Sequence, residues 1–586
     1  MMTTASATVL LRRIRPLAIK VGLVIYICHR LSDPTGTSLL PSLVNIFAQI
    51  LEHATQIVRL NRWNLLLPLI NIISTVTQDV VAIAGVFGLL HVGYFLYNFR
   101  LSDWKDLMLS TIFHSIRPFI NKRLQKIANK ILKEADSMLA KEPHRTIRLI
   151  LPETGLADDL ILNELKSCAL KENTTCETGK ISGTLYSVGN EHSELMCKVY
   201  QFYLWSNPLK PGVWPRVNQC EAEIVAMTAK ILNLSGAPNG CVTSGGTESI
   251  LTAVRAHVEL YGKQRGITRP EIICGSTAHC ALNKACEVLG VRLVLINCDE
   301  ESSYELKAAA VQKHITCNTI MIFASAPTFP HGVVDPIDEL STIAKQYDIG
   351  LHVDACLGGF VLPFCQGEMT PRAFDFRLHG VTSMSSDTHK YGHATKGTSV
   401  VLFKSSELQH ASYFAYSKWS GGLYITPTVA GSRPGALIAC AWAALLSIGH
   451  SGYQQRARVI VEAARRIADA IKSIDGLKLM TPNPTIVVCF TSDLFNIYRL
   501  KDKMSKMGWS LNPLQQPAAL NICITENLDV DEFIQDLRSA VDKVAKTDIS
   551  APNIGGTEMI YNTVSMLPPA AVEFAMHRFT DASLTP

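Results

Sequence analysis

Between residues 241 and 446, short runs rich in apolar and β-branched residues alternate with longer stretches of helical periodicity. The runs fall at 272–274, 291–296, 319–324, 350–353 and 399–403. Strands this short and apolar, separated by helices, bury both faces in a mostly parallel sheet whose ligands sit at the carboxyl ends of the strands. The expectation is therefore an α/β fold with a large domain over 241–447. A long amphipathic helix at 453–474 leads to a strand at 485–490, a helix at 496–507, a strand at 521–525 and a helix at 530–544. That run reads as a small α/β domain at 448–546, followed by a tail at 547–586. Helical segments alternating with loops fill 146–240.

Candidate chemistry clusters at the ends of these strands. Lys390 lies in T-S-M-S-S-D-T-H-K-Y-G, just after an apolar element at 380–384. A desolvated lysine loses its proton cheaply, and a neutral amine condenses with an aldehyde, so Lys390 suits a Schiff base. Asp354 ends the run in G-L-H-V-D-A-C-L-G-G-F. A carboxylate there would keep the ring nitrogen of pyridoxal 5'-phosphate protonated, and a helix cap is its ordinary alternative. The turn C-V-T-S-G-G-T-E-S-I-L opens a helix with Gly245, Gly246 and Thr247, whose bare N–H groups suit a phosphate. His279 is placed to stack on a pyridine ring, and His389 precedes the lysine. The order of phosphate turn, His, Asp and Lys, with Lys390 36 positions after Asp354, is that of fold-type-I pyridoxal-phosphate enzymes.

Longer strings carry a closer likeness. G-K-I-S-G-T-L-Y from Gly179, W-S-N-P-L from Trp205, E-A-E-I-V from Glu221, F-P-H-G-V-V-D-P from Phe329, S-D-T-H-K-Y-G and G-G-L-Y-I-T-P-T-V-A-G-S-R-P-G from Gly421 resemble the sphingosine-1-phosphate lyases over roughly residues 80–570. The resemblance implies a fold-type-I pyridoxal-phosphate fold and a homodimer with shared active sites. It also implies cleavage of a phosphorylated sphingoid base between C2 and C3, giving a fatty aldehyde and phosphoethanolamine. Lys396 and Tyr186 match family positions implicated in proton traffic and, with Lys210, in binding the substrate phosphate. Gly421 and Gly422 match a loop that completes the partner's cofactor phosphate site. Three departures stand out. His393 and Thr395 occupy Tyr391-Gly392-His393-Ala394-Thr395-Lys396-Gly397, where the family reads Tyr-Gly-Tyr-Ala-Pro-Lys-Gly. Lys210 stands where the family has His, and Phe329 where some bacterial relatives have Tyr. A group II amino-acid decarboxylase and a non-catalytic membrane scaffold that keeps the fold remain as alternatives.

The N-terminal region raises a separate expectation. Residues 80–97 form an uncharged apolar run with Tyr94 and Tyr97 at its far end, the pattern of a transmembrane helix at 80–98. Arg100, Lys105, Arg117, Lys122, Arg123, Lys126, Lys130 and Lys133 follow it, whereas Arg59 and Arg62 precede it, so the body is expected on the cytosolic side. The family plan of a single endoplasmic-reticulum membrane anchor agrees. Residues 1–79 read as a lumenal or amphipathic extension and 99–145 as a basic stalk with an amphipathic helix at 122–139, and the anchor makes membrane lipid an expected partner. A net charge of +5 over 586 residues, with no basic-aromatic array, argues against nucleic acid. Sixteen scattered cysteines read as reduced thiols, and no cluster has metal-ligand spacing.

Overall fold

The structure is a computed structural model describing residues 148–176, 178–365, 372–546, 556–567 and 569–584. The expected membrane span at 80–97, the basic helix at 122–139 and the boundaries drawn before residue 148 lie outside them.

Helices α1 (Asp158–Cys176), α2 (Asn190–Tyr203) and α3 (Pro215–Ile231) precede the first sheet, and α3 starts on a proline whose fixed φ suits a helical first turn. The large unit then runs β1 (Asn239–Thr243), α4 (Gly246–His257), β2 (Glu271–Gly275), α5 (Ala281–Leu289), β3 (Arg292–Ile296), α6 (Ala308–His314), β4 (Thr319–Ser325), α7 (Ile337–Gln346), β5 (Gly350–Asp354), β6 (Ser383–Ser386), β7 (Ser399–Phe403) and α8 (Ser406–Ser412). The strand order is β1-β7-β6-β5-β4-β2-β3, and β7 alone runs against its neighbours. Because β7 is antiparallel to both β1 and β6, the carboxyl ends of β1, β4, β5 and β6 share one edge. Every residue of β2, β4, β5 and β7 is buried, as a sheet covered by helices on both faces requires.

Strand β6 departs from expectation. Its sequence is Ser-Met-Ser-Ser rather than an apolar run, yet all four residues are buried. Buried hydroxyls need partners, and the neighbouring strand supplies them for two of the three serines: Ser383 Oγ lies 2.8 Å from His352 Nδ1, and Ser385 Oγ donates to Asp354 Oδ1 at 3.2 Å, whereas Ser386 Oγ is buried without one.

A ribbon of β8 (Phe414–Tyr416) and β9 (Tyr424–Thr426) leads into α9 (Gly435–Lys472). This helix starts well before the expected residue 453, and Gly449, at φ 65° and ψ 174°, breaks it. Its length and hydropathy would suit a membrane span, but half of its most apolar window is buried in the body. Cys440, Ala443 and Ala444 pack against Met196 of α2, which accounts for part of the apolar composition.

The remaining elements are β10 (Lys478–Leu479), β11 (Val487–Thr491), α10 (Ile497–Lys506), β12 (Asn512–Leu514), β13 (Ala519–Cys523), α11 (Val530–Ala545), α12 (Gly556–Met566) and α13 (Pro569–Leu584). The second sheet is antiparallel, in the order β10-β11-β13-β12. Side-chain caps fix both of its helices, with Asn496 accepting from Tyr498 N–H and Asp529 from Glu532 N–H. Helix α12, in the tail that the sequence left unassigned, docks on α10: Arg499 Nε donates to Glu558 Oε2 at 2.8 Å, and Tyr561 stacks on Tyr498.

Residues 179–187 are tied to this small domain although they lie far upstream. Ile181 bridges Ser510, and Ser182 Oγ accepts from Cys523 N–H at 2.9 Å and from Asn512 Nδ2 at 2.8 Å. Lys180 Nζ reaches Glu532 Oε1 at 2.6 Å, and Asn527 Nδ2 donates to Ser187 O at 3.1 Å.

Candidate active site

A cavity of about 360 Å³ opens where β1, β4, β5 and β6 end, closed on its other side by Ser182–Tyr186 and by Cys523 at the end of β13. Asp354, the last residue of β5, is 7% exposed, and its Oδ1 accepts from Cys356 N–H at 3.0 Å as well as from Ser385. Those two donors fix the carboxylate at the cavity wall. Lys390 follows β6 in a turn whose backbone closes on itself, Lys390 N–H reaching Asp387 O at 3.3 Å.

The lysine is not the easily deprotonated group that desolvation alone suggests. Its Nζ lies 3.0 Å from Asp387 Oδ2, a carboxylate whose side chain is 2% exposed. Burial disfavours the charged amine, but Asp387 first, and then Cys356, Tyr186 and Asp354, together outweigh it and hold the Lys390 pKa above the ordinary lysine range. Burial likewise disfavours ionised Asp387, yet Lys390 and His389 bring its pKa below the usual carboxylate value. Asp387 Oδ1 is buried without a hydrogen-bond partner. Sequence reasoning passed over Asp387, although its place three residues before a candidate Schiff-base lysine was a usable signal.

The phosphate turn is built from the same side. Gly245 and Gly246 start α4, and a Cβ at Gly246 would lie 2.7 Å from Cys356 Sγ and 3.0 Å from Asp387 Oδ1. Only glycine brings that backbone so close to the cavity floor. Glu248, in the first turn of α4, accepts from Ser244 N–H at 2.7 Å and from Val429 N–H at 3.0 Å, clamping the turn to a distant loop. Glu221 and Arg433 hold the adjoining end of β1, with Arg433 Nη2 donating to Glu221 Oε2 at 2.8 Å and Nη1 to Val242 O at 2.9 Å. His389 Nδ1 accepts from Thr398 N–H at 3.2 Å, and burial lowers its pKa despite Asp387 nearby. His279, at the cavity mouth, accepts from Ala281 N–H at 3.1 Å and meets Phe329 edge to face.

Tyr186 and Lys396 complete the wall. Lys396 Nζ sits 4.8 Å from the centre of the Tyr186 ring and donates to His389 O at 3.3 Å. Burial and then the Lys390 charge lower the Lys396 pKa, while burial raises that of Tyr186. The cavity therefore gathers Lys390, Asp354, His279, Gly245, Gly246, Thr247, His389, Lys396 and Tyr186. It does not gather Lys210, Gly421 or Gly422, which lie exposed outside it in this chain.

These residues fit pyridoxal 5'-phosphate. A lysine can hold its aldehyde, a fixed strand-end carboxylate can face its ring nitrogen, and a helix start that tolerates no side chain can hold its phosphate. The comparisons agree. The pyridoxal-dependent decarboxylase conserved domain matches residues 187–493. A sphingosine-1-phosphate lyase from Dictyostelium discoideum is 40% identical over 86% of this chain and 96% of its own length, and one from Oryza sativa subsp. japonica is 41% identical over 80% and 87%. The solved structure of Burkholderia pseudomallei sphingosine-1-phosphate lyase superposes with a TM-score of 0.67 at 38% identity, covering 69% of this chain and 96% of that one. With this cavity on a fold-type-I framework, the chain belongs to the sphingosine-1-phosphate lyase family of pyridoxal 5'-phosphate-dependent lyases.

Proposed function

We propose that the protein cleaves phosphorylated long-chain sphingoid bases between C2 and C3, releasing a fatty aldehyde and phosphoethanolamine. The observation that carries this reading is the pairing of Lys396 with the Tyr186 ring on the cavity wall, which gives an anionic headgroup a cation and a phenol beside Lys390. Bound there, pyridoxal 5'-phosphate supplies an electron sink for the charge left at C2 when the bond breaks. Lys390 Nζ would hold the cofactor through its aldehyde. Asp354 keeps the ring nitrogen protonated, His279 covers a ring face, and the N–H groups of Gly245, Gly246 and Thr247 with His389 bind the cofactor phosphate. Lys396, whose lowered pKa eases proton loss from Nζ, would take the proton of the C3 hydroxyl, and the Tyr186 phenol, kept neutral by burial, would donate a hydrogen bond to the substrate phosphate beside it.

The working unit in this reading is a homodimer with shared sites. Asn207, three residues before Lys210, ties its segment to the chain that follows the glycine loop, its Nδ2 donating to Ser432 Oγ at 3.0 Å and its Oδ1 accepting from Arg433 N–H. Trp205 and Leu423 near them are 85% and 88% exposed, an apolar surface suited to a second copy. Lys210 and the glycine loop would then enter the partner's cavity. The anchor is proposed at residues 80–97, in the endoplasmic-reticulum membrane with the body cytosolic.

Purified protein given cofactor and a phosphorylated sphingoid base should release aldehyde. Carbon dioxide from amino acids without aldehyde would make it a decarboxylase instead, and neither product together with no cofactor uptake would make it a scaffold.

A further inference from the structure

We propose that His393 is a positioning residue that holds Tyr186 in the cavity wall by linking its backbone to Glu526 of the small domain. The proposal rests on the reading of Tyr186 as a substrate-contacting group.

His393 is 6% exposed, sits at φ 57°, and donates its backbone N–H to Lys390 O at 2.9 Å, so it belongs to the turn that carries the lysine. Its ring Nδ1 lies 3.1 Å from Tyr186 O. A carbonyl only accepts, so Nδ1 carries a proton. Nε2 lies 3.1 Å from Glu526 Oε1. The other oxygen of Glu526 is held by Arg456. The ring therefore joins the Tyr186 segment, through Nδ1, to Glu526 of the small domain, through Nε2. Tyr453 stacks on it at 6.4 Å between ring centres and donates its hydroxyl to Gly392 O at 2.8 Å, while His192 Nε2 donates to His393 O at 2.9 Å. Tyr186 O, Glu526 and the Tyr453 ring thus hold the imidazole, while His192 and the Tyr453 hydroxyl hold the backbone that carries it.

The phenol or phenyl of an aromatic at this position has no ring nitrogen to offer the Tyr186 carbonyl. This chain therefore has a linkage of its own where the family pattern places Tyr. Tyr186 in turn is set between Lys396 Nζ and the edge of Tyr391, 4.9 Å away, so a slack backbone there would move the phenol out of register with Lys396.

Two variants separate the two contacts. His393→Gln keeps a donor near the Nε2 position and loses the one to Tyr186, whereas His393→Asn keeps a donor near Nδ1 and loses the reach to Glu526. In the holoprotein, His393→Gln should speed hydrogen exchange in a peptide covering 183–187 by about tenfold, and raise KM for the phosphorylated sphingoid base by about tenfold with kcat within about threefold. His393→Asn should leave exchange in 183–187 near wild type. Equal exchange in wild type and His393→Gln would overturn the proposal, as would equal damage from both variants, which would reduce the ring to packing. Faster exchange with unchanged KM would uphold the linkage and remove Tyr186 from the substrate site. The exchange measurement stands even if no aldehyde is ever formed, so failure of the lyase reading is separable.

Discussion

Replacing Asp387 with asparagine should make the apoprotein capture pyridoxal 5'-phosphate faster. Lys390 Nζ and Asp387 Oδ2 are 3.0 Å apart, with the carboxylate side chain 2% and the lysine side chain 24% exposed. At an effective dielectric of about 20, two unit charges at that distance attract by about 5 kcal/mol. Asp354 remains nearby and water replaces part of the lost interaction, so we take half, about 2.5 kcal/mol, as the stabilisation of protonated Lys390 removed by the substitution. Only the neutral amine reacts, so its fraction near neutral pH rises by that factor, roughly 70-fold. The assay mixes apoprotein with cofactor and follows the visible absorbance of the lysine-bound form across pH. Expected is a capture rate at least about tenfold above wild type at pH 7, with the pH dependence displaced to lower pH. Pyridoxine 5'-phosphate, which has no aldehyde, should bind both proteins within about threefold, a control for changed phosphate affinity. Equal capture rates and pH profiles would refute the argument that Asp387 sets the proton on Lys390.

Other consequences are as direct. Lys390→Ala should lower aldehyde release by at least about 1,000-fold while circular dichroism stays native, because the cavity's phosphate and ring contacts remain; near-normal turnover would remove the lysine from its role. Mixing Lys390→Ala with Gly422→Trp subunits should restore part of the activity if sites are shared between protomers, since one intact site then forms per mixed dimer, and no recovery despite proven subunit exchange would place both elements in one chain. His257, packed against Gly350 and within 2.8 Å of Ala253 O, has its pKa lowered to about 4 by burial. An unfolded histidine takes its proton near 6.5, so His257 favours the fold fully above that pH and progressively less as pH falls toward 4. By pH 5 it should have cost about 2 kcal/mol, readable from denaturant midpoints at pH 7.5 and 5. Midpoints that do not fall would contradict a buried neutral ring.

The parts of the site that were legible in the sequence are those whose backbone forces a residue choice. A turn with no room for a Cβ demanded Gly246, and a strand end placed Asp354, so motif and position agreed. Asp387 was not read because its importance is a distance to Lys390, created by a turn that no periodicity announces. Strand β6 was misjudged as apolar because two of its serines, Ser383 and Ser385, are satisfied by His352 and Asp354 on the neighbouring strand, a cross-strand fact. Lys210 was read as a phosphate ligand by resemblance, yet lies outside the cavity of its own chain. The ordered helix α12 escaped because its signal is tertiary, the Arg499–Glu558 pair, rather than any strong amphipathic pattern.

The antiparallel strand β7 also bears on the order in which the protein is made. Asn239 at the start of β1 pairs with Phe403 at the end of β7, and Ser182 is held by Cys523. A chain emerging from the ribosome thus carries its phosphate turn and Tyr186 for most of its synthesis without the strands that fix them. Such long-range pairings form late and leave apolar edges exposed meanwhile, which is where chaperones act. A chain halted before Phe403 would hold Lys390 and Asp354 but no strand to dock β1 against, so nascent fragments are expected to be inert toward cofactor until the small domain has left the exit tunnel.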